Sequence, residues 1–409
     1  MVIKQTSTDV AAPVASSVGP GLRISLILGL LLAFASISTD LFLPALPQMS
    51  AALGASQGAL QLTISTYLVG FGLGQLFWGP VSDRYGRRGP IALGMLVFVI
   101  GSSGCALSAS AWQLIGWRVV QALGACAAVV LARAMVRDLY DRDRAARLLS
   151  TLMTIMAIAP LVGPGIGGQI LRVAPWQAIF WTLVAIGFAT LAAVFVLPET
   201  LPPERRERMP LAEAFAGYGE LFSNRRLLCY AGALGFFYSG LFASIASTPF
   251  AYITYHHLSP QLYGAVFAVS IVGLMITNFF NARLVTRLGS DTLLRFGATA
   301  AALAGLIIAA VSGTDWGGLT GLAASVILFH AMNGFISANS IAGALSSFPS
   351  RSGAVSALIG SIQYGSGVVG SVLVSALADG TPRPLGWVMA LSGIGSLACA
   401  LMVGVGRRG

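Results

Sequence analysis

The ten residues Gly79-Pro80-Val81-Ser82-Asp83-Arg84-Tyr85-Gly86-Arg87-Arg88 form a short charged connection between two long apolar runs, 59–79 and 89–108. Glycine allows the tight turn that such a connection needs. The arginines hold the turn in water, because a charged side chain is unfavourable in hydrocarbon. The pattern therefore predicts two membrane-spanning helices that are joined by a tight turn on the cytoplasmic side.

Composition extends this prediction to the whole chain. Of its 409 residues, 56% are hydrophobic and only 9% are charged, and the mean hydropathy is +0.82. A soluble domain carries about a quarter charged residues. Only helices and closed β-barrels satisfy the backbone inside a bilayer. Barrel strands appear as short alternating segments, whereas these apolar runs are continuous and rich in Leu, Ala and Gly, so we expect an all-α integral membrane protein.

Twelve apolar runs approach the roughly 20 residues that a spanning helix requires. We number them span one to span twelve, with the predicted limits 22–43, 59–79, 89–108, 112–136, 146–171, 176–197, 227–254, 261–282, 292–312, 316–344, 353–377 and 385–405. A long hydrophilic stretch separates two groups of six. The predicted organisation is a cytoplasmic N-terminal tail (1–21), an N-terminal six-helix half (22–197), a cytoplasmic linker (198–226) and a C-terminal six-helix half (227–409).

The arginines indicate the orientation. They lie mostly in the loops that follow even-numbered spans, and the loops after odd-numbered spans hold only Arg172 and Arg383. Because positive residues are retained on the cytoplasmic side, we expect both termini there. This distribution also explains the net charge of +10 without a nucleic-acid partner. The four cysteines have no metal or disulfide spacing, and no nucleotide loop or nucleophile–base pair supports an enzyme.

The turn 79–88 resembles the loop signature G-x-x-x-D-R-x-G-R-[KR] of the major facilitator superfamily. This resemblance implies two pseudo-symmetric halves of six helices around a central cavity, with the substrate near the bilayer midplane. It also implies a gating motif in which Asp83 caps the start of span eleven, near Ser352–Gly353. The motif residues are Gly79, Asp83, Arg84, Gly86, Arg87 and Arg88. The alternative is an ordinary charged loop that only sets orientation.

Two further segments resemble motifs of the same superfamily. In span four, Arg118 and Gln121 match R-x-x-Q-G-x-G, with Ala122 in place of the first glycine. In span five, the segment 159–168 resembles the G-P-x-x-G-G motif of antiporters, at Gly163, Pro164, Gly167 and Gly168. These small residues are expected to let the other half approach closely near the periplasmic end. No strand precedes the glycines, which argues against a nucleotide loop.

Three segments, 38–47, 65–70 and 199–206, look like the bicyclomycin-resistance group of drug:proton antiporters. Phe42 departs from the tyrosine that is usual there. The resemblance implies proton-coupled export, across the bacterial inner membrane, of small neutral or zwitterionic molecules such as bicyclomycin, phenicols or sulfonamides. It implies a monomer in the lipid bilayer that uses the proton gradient and no cofactor. The alternative is an exporter of a small metabolite, such as an amino acid or a sugar.

Asp40 is the acid placed well inside an apolar run, and Arg118 is the deeply placed arginine. At about 1.5 Å per residue they lie roughly 6 and 9 Å from the same surface, so we predict that they pair as the proton-coupling site. A structural ion pair or a helix cap is the alternative. Other polar residues inside spans are candidates for the cavity wall or for packing hydrogen bonds: Gln61, Tyr67, Gln121, Tyr238, Asn278, Asn333, Gln363 and Tyr364.

Overall fold

The computed structural model describes residues 22–140, 142–206, 224–346 and 352–403, and the regular structure in these ranges is helical. Span one comprises Leu22–Asp40, a 3-10 turn at Leu43–Ala45 and the helix Leu46–Ala52. Spans two to six are Gln57–Tyr85, Arg88–Ala106, Ala111–Leu139, Arg142–Val173 and Gln177–Val194. Spans seven to twelve are Arg225–Pro249 with the π-helix Phe250–Tyr255, Pro260–Leu288, Ser290–Thr314, Gly318–Ala331 with Asn333–Ser346, Ser352–Ala376, and Arg383–Met402.

Span one differs most from its predicted limits, because it continues to Ala52 instead of ending at residue 43. Pro44 and Pro47 have no backbone N–H, which favours the end of a helix. Each proline instead occupies the first turn of a new helical segment, where the missing N–H has no intrahelical acceptor. The span therefore breaks at Leu41 and Phe42 and then resumes.

The surface of the helical bundle is suited to lipid. Eleven helices in the described part of the chain are long and apolar enough to cross a membrane. The one predicted span that is not among these eleven is span five, a helix of 32 residues whose first turn is charged. Large apolar side chains face outward, as Val272, Ile276 and Phe279 do on span eight. Continuous apolar belts of this kind are not found on monomers in water, and the chain is a multi-pass membrane protein.

Glycine ends two corresponding spans. Gly86 follows span two with a φ of 92°, and Gly289 follows span eight with a φ of 79°. Both values lie in the left-handed region that residues with a side chain rarely adopt. Spans two and eight are the second spans of their halves, so the repeated turn supports an internal repeat.

The two halves meet where span two packs on span eleven and span five packs on span eight. Ser65 Oγ donates to Ser371 Oγ at 2.8 Å, and Ser375 Oγ donates to the carbonyl oxygen of Gly58 at 2.5 Å. Gln261 Nε2 donates to the carbonyl oxygen of Gly168 at 3.1 Å. All three bonds lie toward the predicted periplasmic end of the bundle. The two halves are therefore joined tightly at that end.

Candidate functional site

A cavity of about 260 Å³ lies between the two halves. Spans one, two and five form one wall, and spans seven, eight, ten and eleven form the other. The wall is mainly apolar and aromatic. The rings of Phe71 and Tyr364 meet across the two halves with centroids 5.1 Å apart, and Phe242 lies 6.3 Å from Tyr364. Such a surface accepts apolar molecules, while the few polar side chains in it determine orientation.

Asp40 is the acid that lines this cavity among the described residues. It is the last residue of the first helix of span one and is only 6% exposed. Its Oδ1 accepts a hydrogen bond from Thr39 Oγ1 at 3.2 Å. The C-terminal end of a helix carries partial negative charge, and Pro44 leaves the Asp40 carbonyl without its helical donor. A second negative charge is therefore unfavourable at this point of the cavity.

Arg118 is fully buried behind the cavity wall. Its guanidinium carbon lies 4.2 Å from the ring centre of Phe42 and 4.3 Å from that of Tyr67. Its Nη1 donates to the Ser38 carbonyl oxygen at 3.1 Å and to Gln121 Oε1 at 2.5 Å. Aromatic faces stabilise a desolvated cation. Phe42, where the resemblance predicts tyrosine, makes this contact with the face of its ring.

Asp40 and Arg118 are close enough to interact, but they do not form a direct ion pair, and their role in proton coupling stays a prediction. Their charged groups are not within 4.0 Å, although Arg118 is close enough to act on Asp40 electrostatically. The predicted depths of Asp40 and Arg118 below the membrane surface assumed that span one ends at residue 43, but the span runs on to Ala52. Asp40 therefore lies deeper than predicted, and Tyr67, which hydrogen-bonds to Ser38, stands between Arg118 and the cavity.

The candidate wall residues divide into three groups. Tyr67, Asn333 and Tyr364 line the cavity as predicted. Tyr238 is close to the side chains of Asn333 and Gln363, so Tyr238 and Gln363 belong to the same polar region as Asn333. Three candidates are not among the residues that line this cavity: Gln61, which is buried, Asn278, which is exposed on span eight, and Gln121, which makes packing hydrogen bonds with Arg118 and Ser102. Gln61 and Asn278 lie on the same helix faces as the wall residues Leu68 and Leu274, so their positions along the spans separate them from it.

The glycines of span five serve two contacts. A Cβ atom on Gly163 would lie 3.2 Å from Asp40 Cβ, and one on Gly167 would overlap the carbonyl oxygen of Leu41. These two glycines pack on the break of span one, in the same half, which the sequence did not predict. A Cβ on Gly168 would lie 2.6 Å from the carbonyl oxygen of Pro260 in the other half. The predicted close contact between halves is thus made at Gly168 and at the backbone of Pro164 and Gly165, against which Gly264 of span eight packs.

The charged turn after span two is held by three acids. Arg87 donates through Nη1 to Asp83 Oδ1 at 2.5 Å and through Nε to Asp138 Oδ2 at 2.8 Å. Glu199 Oε1 accepts the backbone N–H of Arg87 at 2.8 Å, and its Oε2 accepts that of Arg88 at 3.2 Å. Glu199 therefore caps the start of span three. The turn, the end of span four and the segment after span six form one network.

The predicted contact of Asp83 with the start of span eleven stays a prediction. Residues 347–351 and the side chains at the beginning of that span lie outside the described residues. Span two continues to Tyr85 instead of ending at residue 79, so Gly79 and Arg84 lie in the helix and Gly86 forms the turn. Arg84 is exposed, and Arg88 donates through Nη2 to the carbonyl oxygen of Phe195 at 2.6 Å.

Glu199 shows how the network responds to pH. Partial burial disfavours its charge, but the N–H groups of Arg87, Leu201 and Arg88, together with Arg206, outweigh this effect. They hold the pKa of Glu199 below its ordinary value of 4.5. A carboxylate whose pKa is lowered by folding stabilises the folded state above its unfolded pKa, and this contribution is lost as the pH falls through the folded pKa.

Sequence reasoning missed His330, which lines the cavity from span ten. It also missed Arg133, which is half-buried in span four, about three turns beyond Gln121, and is close enough to act electrostatically on Tyr364 of the cavity wall. An ionisable residue inside a predicted span is itself a functional signal, and this signal was present for both. Glu199 was interpreted only as a charge of the linker, because its contact with the distant turn 79–88 is not visible in the sequence.

The family profile of the Major Facilitator Superfamily matches residues 28–371. The chain belongs to this superfamily. It is 31% identical over 365 residues to the bicyclomycin resistance protein homolog of Haemophilus influenzae, covering 89% of this chain and 92% of that one. It is 32% identical over 364 residues to a chloramphenicol resistance protein of Pseudomonas aeruginosa, covering 86% and 83%.

A solved structure supports the fold of this major facilitator. The xylose transporter XylE from E. coli, in a partially occluded inward open conformation, has a TM-score of 0.71 with 15% identity and covers 93% of this chain and 96% of its own. That likeness concerns the fold alone. The predicted resemblance to the superfamily and to its bicyclomycin-resistance group is confirmed by the relatives, and the chain is a transporter rather than an enzyme.

We predict that Gly167→Ala lowers transport by roughly tenfold or more, because its new methyl group overlaps the Leu41 carbonyl and pushes span five away from Asp40. Gly165→Ala is the matched control, since a Cβ there meets no atom within 4 Å. Drug flux into proteoliposomes, normalised to the amount of inserted protein, measures both variants. Equal activity of the two variants would contradict the proposed contact.

We also predict that Glu199→Gln lowers the thermal stability of the detergent-solubilised protein at neutral pH, because an amide caps span three less well than a carboxylate. The difference from the wild type should shrink as the pH falls below 4.5. Glu204→Gln changes an exposed acid of the same segment and serves as the control. A Glu199→Gln deficit that is the same at every pH would contradict the role of this charge.

Proposed function

We propose that this transporter exports small neutral or zwitterionic drug-like molecules in exchange for protons. The observation that carries the proposal is the position of Asp40, which is buried and faces the central cavity. A carboxyl group in this place can hold a proton without an ion pair. A facilitator that does not couple transport to protons has no need for an acid where negative charge is unfavourable.

The wall of the cavity supports the proposed substrate class. Aromatic and aliphatic side chains cover most of it, and Asp40 is its one acid among the described residues. Arg118 supplies a nearby positive charge from behind Tyr67, so the cavity has little net charge with which to attract a dication. The names of the two relatives refer to bicyclomycin and chloramphenicol, and we extend that class of small amphiphile to this chain.

Coupling follows if the proton and the substrate compete for one cavity. A substrate that occupies the space beside Asp40 changes the surroundings of the carboxyl group, and by linkage a proton on Asp40 changes the affinity for the substrate. The span-five glycines lie against the same break in span one, so a movement of span five between the two halves is transmitted to Asp40. Each change of state then exchanges the two occupants.

The driving force has an electrical component. Exchange of one neutral molecule for one proton moves a net charge across the membrane, so the membrane potential assists export by about 2.3 kcal/mol per 100 mV. The alternative substrate, a small metabolite such as an amino acid or a sugar, would use the same cavity and the same coupling. Growth inhibition by a panel of drugs in an efflux-deficient host separates these two substrates, since a metabolite exporter would protect against few of them.

We predict that Asp40→Asn abolishes the uphill flux of a phenicol that a pH gradient drives in proteoliposomes, because the amide cannot release a proton. Exchange of labelled for unlabelled drug without a gradient should persist. Asp379→Asn, at an exposed acid outside the cavity, should behave like the wild type. Uphill flux that survives in Asp40→Asn, or wild-type flux that ignores an imposed membrane potential, would contradict proton-coupled export.

A further inference from the structure

His330 lies where span ten is interrupted. It occupies the last turn of the helix Gly318–Ala331, and a second helix begins at Asn333. Both residues line the cavity, on the wall opposite Asp40. In transporters, interrupted helices supply polar groups to substrates near the midplane. Neither side chain is used by the coupling mechanism proposed above.

Ser244 holds the ring of His330 from span seven. Ser244 Oγ lies 2.6 Å from the carbonyl oxygen of Leu241 and 2.6 Å from His330 Nε2. We assign the hydroxyl hydrogen to Leu241, which can only accept, and the ring proton to Nε2. In a neutral imidazole the other nitrogen, Nδ1, is then an acceptor. Span seven thus orients the ring and leaves Nδ1 as the ring nitrogen available to a molecule in the cavity.

Asn333 supplies a second acceptor next to it. Its Oδ1 is buried and has no hydrogen-bond partner among the described residues. A buried polar atom without a partner is unfavourable, so an occupant that donates a hydrogen bond to it binds more tightly. Residues three apart on a helical segment share a face, and both His330 and Asn333 border the same cavity. Span ten therefore brings two acceptors to one part of the cavity wall, opposite Asp40.

We propose that His330 Nδ1 and Asn333 Oδ1 form a recognition site for the O–H or N–H donors of a neutral substrate, and that Ser244 positions the ring. This site selects molecules that carry a hydroxyl or an amide group on an apolar body. It deepens the proposed function, because it lies in the same cavity, but it concerns binding and does not depend on Asp40. Molecules without donors would leave both acceptors unpaired and bind more weakly.

Equilibrium binding to the detergent-solubilised full chain tests this site with two matched probes. One is a phenicol with two hydroxyl groups, and the other is its analogue in which fluorine replaces one hydroxyl. In the wild type the dihydroxy compound should bind more tightly. His330→Leu should weaken its binding by about tenfold and change that of the fluoro analogue by less than about twofold. Asn333→Leu should act in the same direction.

Two further variants separate recognition from folding. His330→Gln keeps an acceptor and should retain most of the preference for the dihydroxy compound. Ser244→Ala removes the hydrogen bond that holds the His330 ring. The preference for the dihydroxy compound should therefore fall, while the fluoro analogue binds as before. Equal losses for both probes in the His330 and Asn333 variants, an unchanged preference, or no binding of either probe to the wild type would overturn the proposal. Proton-driven flux in Asp40→Asn reports separately on the proposed function.

Discussion

A helix that breaks inside a membrane needs neighbours that replace its lost hydrogen bonds, and span one breaks directly after Asp40. Pro44 removes the donor that the Asp40 carbonyl would have in a continuous helix. Span five can approach this break only because Gly163 and Gly167 have no side chains to collide with Asp40 and Leu41. The same contact fixes the position of the carboxyl group, forms one wall of the cavity and connects it to the helix that meets the other half at Gly168. The other features of the site are arranged around this break.

Arg118 complements the break without forming an ion pair. A buried carboxylate and a buried guanidinium in direct contact stabilise each other's charge, and such a pair would hold Asp40 in its ionised form. Here the rings of Phe42 and Tyr67 pack on the guanidinium. Ser38 and Gln121 accept hydrogen bonds from its Nη1. Only Nη1 is hydrogen-bonded, whereas Nε and Nη2 are buried without a partner among the described residues. The cation therefore acts on Asp40 electrostatically, without a direct contact that would hold the carboxyl group in its ionised form. The interrupted span ten brings His330 and Asn333 to the opposite wall.

The helices, their order and the charged turn could be predicted from the sequence, because hydrophobic length and local glycine and arginine signals are properties of short segments. Span one was predicted too short, since its prolines favour both an end and a new start of a helix. The site was predicted in part. Asp40, Tyr67, Asn333 and Tyr364 reach the cavity, whereas Gln61 and Asn278 lie further along the same helix faces, because the extent of the cavity depends on packing between distant spans. The contact of Glu199 with the turn at Arg87 joins residues more than a hundred positions apart, and no local pattern encodes it.

The central claim is that one cavity holds either the proton of Asp40 or the substrate. Its most direct measurement is the change in pH when a phenicol is added to the purified transporter in weakly buffered detergent solution. The wild type should release protons in proportion to the drug that binds, and saturating acid should weaken binding by the reciprocal linkage. Asp40→Asn should bind the drug without any release. Drug binding that releases no proton from the wild type, or a release that persists in Asp40→Asn, would contradict this account.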